Sequence, residues 1–443
     1  MNFYEQYLAI NKKLACGERV LYSQREGNHS HESGNNNKIL HYPRIGIYTG
    51  TGASHSWLWF VEIFERVCFY DLSFLDEDDI KNGKMNEIDV LAMSGGDTFS
   101  IAKALGARGS EKIQSFIREG GLYIGSCAGA YLPLNSSKTY LNLFNYVNAK
   151  ITNLTRTLPV AKTNSEKFCT PYGCSFIFHP VREAVRLTPI EVIPFKGVGS
   201  LLAPLYGGPP MVASDQTEVL AYYSDFTDKT IFLVDESLAR DTLLGKAAVV
   251  RKKMGEGHIY LFGPHFEHPH FPLANKLLVD VIYWDSRKIS LPNGYVPRDH
   301  MVVQGADLKR LIRIIKREIS NSRIVAVGLE TMPVNWLIGK KVYEPAKIRE
   351  FLEAIWTRIK CLENANQIII SAGKDDLLTQ SVLEITSLLR DIKKEIDNEM
   401  AGIESANRLF KLLNKTSKLF LEIYFRSNMV YFSSPRVYSE VMN

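Results

Sequence analysis

Between residues 44 and 126, short apolar runs alternate with stretches of helical spacing, and glycines stand where the apolar runs end. RIGIYTG (44–50) closes on a Thr-Gly-Thr-Gly turn, and WLWFVEIFERV (57–67) follows with helical spacing. VCFYDLSF (67–74) reads as a second strand, and EIDVLAMSGGD (87–97) as a third that again stops on glycines. FSIAKALGARGSEKIQSFIREG (99–120) is helical, with Gly120 and Gly121 as its stop, and LYIGS (122–126) is a fourth strand, broken at Cys127. Strand–helix alternation of this kind predicts an α/β fold around a parallel sheet. Ligand sites in such sheets lie beyond the carboxyl ends of the strands, where these Gly-rich turns fall.

The texture changes on either side. The N-terminal MNFYEQYLAINKKLACGERV has no basic stretch followed by an apolar core, so it does not read as a secretory signal. It reads as an amphipathic helix with Phe3, Tyr7, Leu8 and Leu14 as apolar contacts, and QREGNHSHESGNNNK (24–38) as a polar linker. Residues 150–250 read as short β segments and loops, with LYGGPPM (205–211) as a turn. AAVVRKKMGEGHIYLFGPHFEHP (247–269) is two β segments joined around Gly255-Glu256-Gly257, and NKLLVDVIYWDSRK (275–288) is a helix. Past PNGYVPRD (292–299), apolar residues recur at i, i+3, i+4 and i+7 through residues 305–430, including PAKIREFLEAIWTRIKCLENANQIII. The expected organisation is an N-terminal helix and linker (1–42), an α/β domain (43–292) and an all-α domain (300–443).

Six cysteines scattered over 443 residues suit reduced thiols in a cytoplasmic protein better than a disulfide framework. Cys169 and Cys174 lack a second pair for a zinc site, and His29 and His31 lack a supporting carboxylate or thiol, so no metal and no cofactor are predicted. No apolar run approaches the roughly 20 residues needed to span a bilayer, so no membrane contact is predicted. Residues 301–443 hold 22 Lys and Arg against 17 Asp and Glu, which accounts for the whole net charge of +5. DLKRLIRIIKRE (307–318) concentrates it on one helix; a solvated face is the preferred reading over nucleic acid.

The residues able to carry chemistry begin with GLYIGSCAGAYLP (121–133). A strand, G-x-C-x-G and a helix would put Cys127 at a helix N-terminus, where unpaired N–H groups favour a thiolate. Small neighbours are what a sharp strand-to-helix turn needs. Taken alone, the pentapeptide fits a core cysteine equally well. His265 in GPHFEHP ends a strand, with Glu267 two residues on, which supplies a base and an acid to orient it. His268 and His270 crowd the same segment, next to Pro269 and Pro272, and read as loop residues. Ser94-Gly95-Gly96-Asp97 ends the strand before the Cys127 strand; a glycine N–H there and that of Ala128 are candidate oxyanion donors.

Together, SGGD, GSCAG and GPHFE resemble the class I glutamine amidotransferase-like fold. The closer likeness is to the amidotransferase-like domain at the N-terminus of biotin–protein ligases. IYTGTGAS (47–54), SGGD (94–97), YIGSCAGAYL (123–132), LYGGP (205–209) and GEGHIYLFGPHFEHP (255–269) carry it, over roughly residues 43–290. The resemblance implies a flavodoxin-like parallel sheet with a nucleophile elbow. It implies Cys127 as nucleophile, His265 as base and Glu267 as orienting acid, with Gly95 or Gly96 and Ala128 at the oxyanion. Asp97, Tyr131, Gly207 and Gly208 would lie along the substrate. Glutamine-hydrolysing members carry Gln where this chain has Tyr131, and Pro where it has Phe266, so glutamine is not singled out as substrate. Residues 300–443 carry no Gly-rich nucleotide loop, so biotin ligation is not predicted.

The leading expectation is a cysteine-dependent hydrolase or amidase acting on a small-molecule or peptide substrate. The alternatives are a catalytically silent ligand-binding or regulatory protein, its helical domain binding a partner or a second copy through residues 300–443, and a nucleic-acid adaptor using 307–318.

Overall fold

The computed structural model describes residues 3–22, 38–152, 180–214, 216–288, 301–338 and 341–432. The 24–38 linker (but for Lys38), Cys169, Cys174, His29, His31 and PNGYVPRD lie outside the described residues. The chain divides into two compact units, one within residues 1–292 and the other from 293 onward.

In the first unit the parallel strands before the elbow are short and, but for the half-buried Ser73, buried along their whole length, as parallel strands covered on both faces are. They are β1 (Ile45–Tyr48), β2 (Leu72–Leu75), β3 (Val90–Met93) and β4 (Leu122–Ser126), following helix α1 (Phe3–Ala15) and separated by α2 (Trp57–Arg66) and α3 (Thr98–Arg118). After β4 come α4 (Ala128–Tyr131), β5 (Val181–Pro189), β6 (Leu201–Leu205), β7 (Glu218–Phe226), β8 (Ala247–Met254), β9 (Gly257–Phe262) and α5 (Pro272–Asp285). The parallel core runs in the order β2-β1-β3-β4-β9, which is the flavodoxin-like order. Beyond β9 the sheet continues antiparallel through β8, β7 and β5, with β6 on β5.

Two details differ from the sequence reading. The strand expected over 67–74 is only Leu72–Leu75. Residues before it close α2, with Phe69 N–H bonded to Phe64 O at 2.8 Å and Cys68 N–H to Glu65 O at 2.9 Å. This is a Schellman cap with Cys68 at φ 61° where glycine is usual. In α1 the buried residues are Tyr7, Asn11 and Leu14. Asn11 is buried because it is bonded: its amide donates to Val67 O at 2.6 Å and its oxygen accepts from Tyr283 Oη at 2.7 Å.

The second unit is helical but not all-α. Its helices are α6 (Gly305–Glu330), α7 (Ala346–Glu363), α8 (Lys374–Asp397) and α9 (Ile403–Phe432). The apolar stripes meet in a core that includes Ile315, Ile319, Leu352, Ile355, Ile385, Leu389, Leu409 and Leu413. The QIII at 367–370, expected to end a helix, is a strand paired antiparallel with Met301–Gln304. Three successive β-branched residues suit an extended chain, and α7 ends at Glu363 before them. Trp336–Ile338 and Lys341–Tyr343 form a further two-stranded ladder. In the basic run of α6, Leu308, Leu311, Ile312 and Ile315 point into the core, while Lys309, Arg310, Arg313 and Arg317 are exposed. The helix is thus amphipathic, with its basic residues on the exposed face.

Candidate active site

Strand β4 runs parallel to β3 on one side and β9 on the other, so Ser126 lies opposite Phe262. The chain turns at Cys127, whose φ of 50° and ψ of −106° lie outside the regions L-residues favour. A non-glycine residue in such a conformation costs about 1–3 kcal/mol, which the surrounding structure must hold. Holding it are Cys127 N–H to Phe262 O at 3.1 Å, Gly129 N–H to Ser94 O at 3.0 Å, and Ala130 and Tyr131 N–H to Cys127 O at 3.0 Å each. Gly125 and Gly129 are needed for closeness: a Cβ on Gly129 would stand 2.0 Å from Met93 O, and one on Gly125 2.3 Å from Gly129 O. Cys127 is 8% exposed, and its Sγ lies 3.8 Å from the carbonyl oxygen of Tyr206.

The turn after β9 brings His265 and Glu267 to the same place. His265 Nδ1 is 2.6 Å from Glu267 Oε1, and Ser126 Oγ donates to Glu267 Oε2 at 2.8 Å. Glu267 is fully buried and His265 nearly so. Nδ1 is thus engaged by the carboxylate, and Cys127 is near enough to act on the charge of the ring. Burial works against a charged ring, but the Glu267 carboxylate and Cys127 beside it outweigh burial and raise the His265 pKa from 6.5 to about 9.

The Ser94–Asp97 turn follows β3, next to β4. Gly95 lies against His265, since a Cβ there would meet Cε1 at 3.0 Å. Gly96 pairs with Ala53, across bonds from Ser54 N–H to Gly95 O and from Asp97 N–H to Gly52 O. The Ser94 carbonyl is tied to the elbow through Gly129. Gly95 is thus brought to His265 and Ala128 follows Cys127 in the elbow, while Gly96 lies against Gly52 and Ala53. Asp97, expected along the substrate, caps α3: Oδ1 accepts from Phe99 and Ser100 N–H, and Oδ2 from Ser100 Oγ at 2.8 Å. A capping carboxylate occupied in this way contributes about 1 kcal/mol to the start of α3.

The Gly207-Gly208 turn lies beside the His265 turn: a Cβ on Gly208 would come within 1.6 Å of Gly263 O. Tyr131 packs on the core near Tyr223, whose hydroxyl donates to Pro209 O at 3.2 Å. Burial, with Tyr131 and Cys127 close by, holds the Tyr223 hydroxyl well above its usual range, so it stays neutral.

Sequence reasoning missed a group of rings around His265. Trp59 meets His265 edge-on with centroids 5.2 Å apart, and lies 4.5 Å from His268, 6.0 Å from Tyr206 and 5.4 Å from His55. Tyr206 is 5.8 Å from His265, and its hydroxyl donates to Glu183 at 2.9 Å. Among the described residues, no group of three or more His, Cys, Asp or Glu could hold a metal ion.

Residues 44–140 match the family model described as the N-terminal part of biotin–protein ligase. The α/β unit is similar to that family in this stretch. The match includes the Ser94–Asp97 turn, Cys127 and Tyr131, and stops short of His265 and Glu267. No curated protein sequence matches the chain. Among solved structures, a cytoplasmic protein of Salmonella typhimurium is 14% identical, covers 61% of this chain and 95% of its own, and has a TM-score of 0.30. A ThuA-like protein of Bacteroides uniformis is 16% identical (58% and 95% covered, TM-score 0.33). A glutamine amidotransferase of Thermotoga maritima is 10% identical (72% and 95% covered, TM-score 0.31). The α/β architecture stands on the strand order and register, not on these low-scoring likenesses. Among the described residues, no helix is long and apolar enough to cross a membrane.

Proposed function

We propose that the protein is a cysteine-dependent hydrolase or amidase. The observation that carries this reading is the buried His265–Glu267 pair, 2.6 Å apart, with the Cys127 elbow near enough to act on the charge of the ring. In the proposed reaction the pair reacts in its ionic form, the proton released by Cys127 already resting on His265 Nε2, and Sγ bonds to the acyl carbon of the substrate. Glu267 stabilises the imidazolium on its Nδ1 side. The N–H of Ala128, with that of Gly95 or Gly96, receives the negative charge that develops on the acyl oxygen. As the bond to the leaving group breaks, His265 returns the proton to it, leaving a thioester. Water then attacks the thioester; His265 takes its proton and returns it to Cys127 as the acid departs.

The test is alkylation of Cys127 by iodoacetamide, read by peptide mass spectrometry so that the exposed Cys16 and Cys361 do not interfere. His265→Ala is expected to slow labelling of Cys127 at pH 7 by about tenfold or more while the protein stays folded, since general-base assistance is typically worth 10²–10⁴-fold. Equal rates in the two proteins would overturn the reading in favour of a silent, ligand-binding site.

A further inference from the structure

Resting on the nucleophile assignment just proposed, we infer that the substrate carries a flat, uncharged aromatic or conjugated group that packs against Trp59, Tyr206 and His268. Three half-buried rings from three separate segments converge here: the first turn of α2, the turn after β6 and the turn after β9. Each keeps part of its surface toward solvent, and two of them, Trp59 and Tyr206, lie with their ring centroids 5.2 Å and 5.8 Å from that of His265. The carbonyl of Tyr206 is also the group that Cys127 Sγ touches. A contiguous, partly exposed ring surface beside a nucleophile is costly to leave wet, and it is the lining that flat apolar ligands select.

The charges around the rings decide among flat ligands. A cation is disfavoured, because His265 stands edge-on to Trp59 and carries its own positive charge through neutral pH. The Arg182 guanidinium adds a second positive group, 5.2 Å from the Tyr206 ring. The carboxylates that touch the cluster are already bonded: Glu183 to Tyr206 Oη, and Glu267 to His265 and Ser126. Among the described residues, the carboxylates on the rings are thus engaged and not offered to the ammonium of a free amino acid such as glutamine. An aryl or conjugated acyl group, or a leaving group of that kind, fits both the rings and the charge.

The experiment compares two reagents that differ only by a ring, iodoacetamide and N-phenyl-iodoacetamide, each rate at Cys127 divided by the reagent's rate with glutathione. The expected ratio favours the phenyl reagent by about tenfold in the intact chain and falls toward one in Trp59→Leu. Should Trp59→Leu fail to fold, protection of the unmodified protein decides: benzamide should slow labelling of Cys127, and butyramide at equal concentration should not. A ratio near one with His265-dependent labelling would overturn the aromatic inference and leave the nucleophile reading standing. A Trp59-dependent phenyl preference without His265 dependence would keep the ring surface as a binding site and remove the catalysis. A ratio near one without His265 dependence would overturn both.

Discussion

The Ser126 hydroxyl and the His265 ring share one buried carboxylate, so Glu267 is fixed from two sides and the imidazole can turn only within what that pair permits. This bond follows from register: Ser126 lies opposite Phe262, the residue that leads into the His265 turn. Spacing in the sequence marks His265 and Glu267 as partners because they are two residues apart. It gives no hint of Ser126, which reads as a filler beside the cysteine until the two strands are aligned. The ion pair has a signature in stability. The His265 pKa is about 9 when folded and 6.5 as the ordinary value, so the folded state binds the proton more tightly. The contribution is therefore fully present below about pH 6.5 and is lost as pH rises through about 9. Its size is about 3 kcal/mol, at 1.36 kcal/mol for each unit. Urea unfolding at pH 6 and pH 9.5 should show that loss in the unmodified protein. In Glu267→Gln, which removes the charge that raises the imidazole, the difference between the two pH values should shrink. An equal difference in both proteins would show that the pair does not hold the proton.

At the scale of elements, the elbow is a packing problem before it is a catalytic one. β4, α4 and the Ser94–Asp97 turn approach so closely that Gly129 has Met93 O where a Cβ would stand. Gly129→Ala should therefore cost about 2–3 kcal/mol, since backbone rather than a movable side chain must give way. Gly328, inside α6, has nothing within 4 Å of a built Cβ. Gly328→Ala should raise stability by about 0.5–1 kcal/mol through helix propensity alone. Denaturant midpoints of the two variants should move in opposite directions, and movement in the same direction would contradict the close approach at the elbow. The elements that local pattern revealed are those that carry a local signal: the apolar strands stopped by glycine turns, the β8–β9 hairpin and the amphipathic helices. Those it misread were decided by distant partners. QIII became a strand because Met301–Gln304 offered an edge. The ring cluster was invisible for the same reason, since Trp59, Tyr206 and His268 are far apart in sequence and meet only through the sheet.

For the whole molecule, chemistry and charge are distributed unequally. Every residue of the proposed site belongs to the first unit: the elbow, the His265 turn, the Ser94–Asp97 turn and the rings all hang on one sheet. The second unit has its own core of helical stripes, and residues 301–443 hold the chain's net positive charge. We propose that residues 43–292 form the catalytic domain and that residues 300–443 serve a separate role, by binding a partner or a second copy. If so, a chain ending at residue 292 should fold, seen as a cooperative denaturant transition with helix and strand signals in circular dichroism. It should also label at Cys127 with the same dependence on His265 and the same phenyl preference as the full chain, within about threefold, because the groups that set the reactivity of a thiol act over the few ångströms of its immediate contacts. A folded 1–292 chain that had lost this labelling would show that the helical unit supplies part of the site, and the division of labour proposed here would fall.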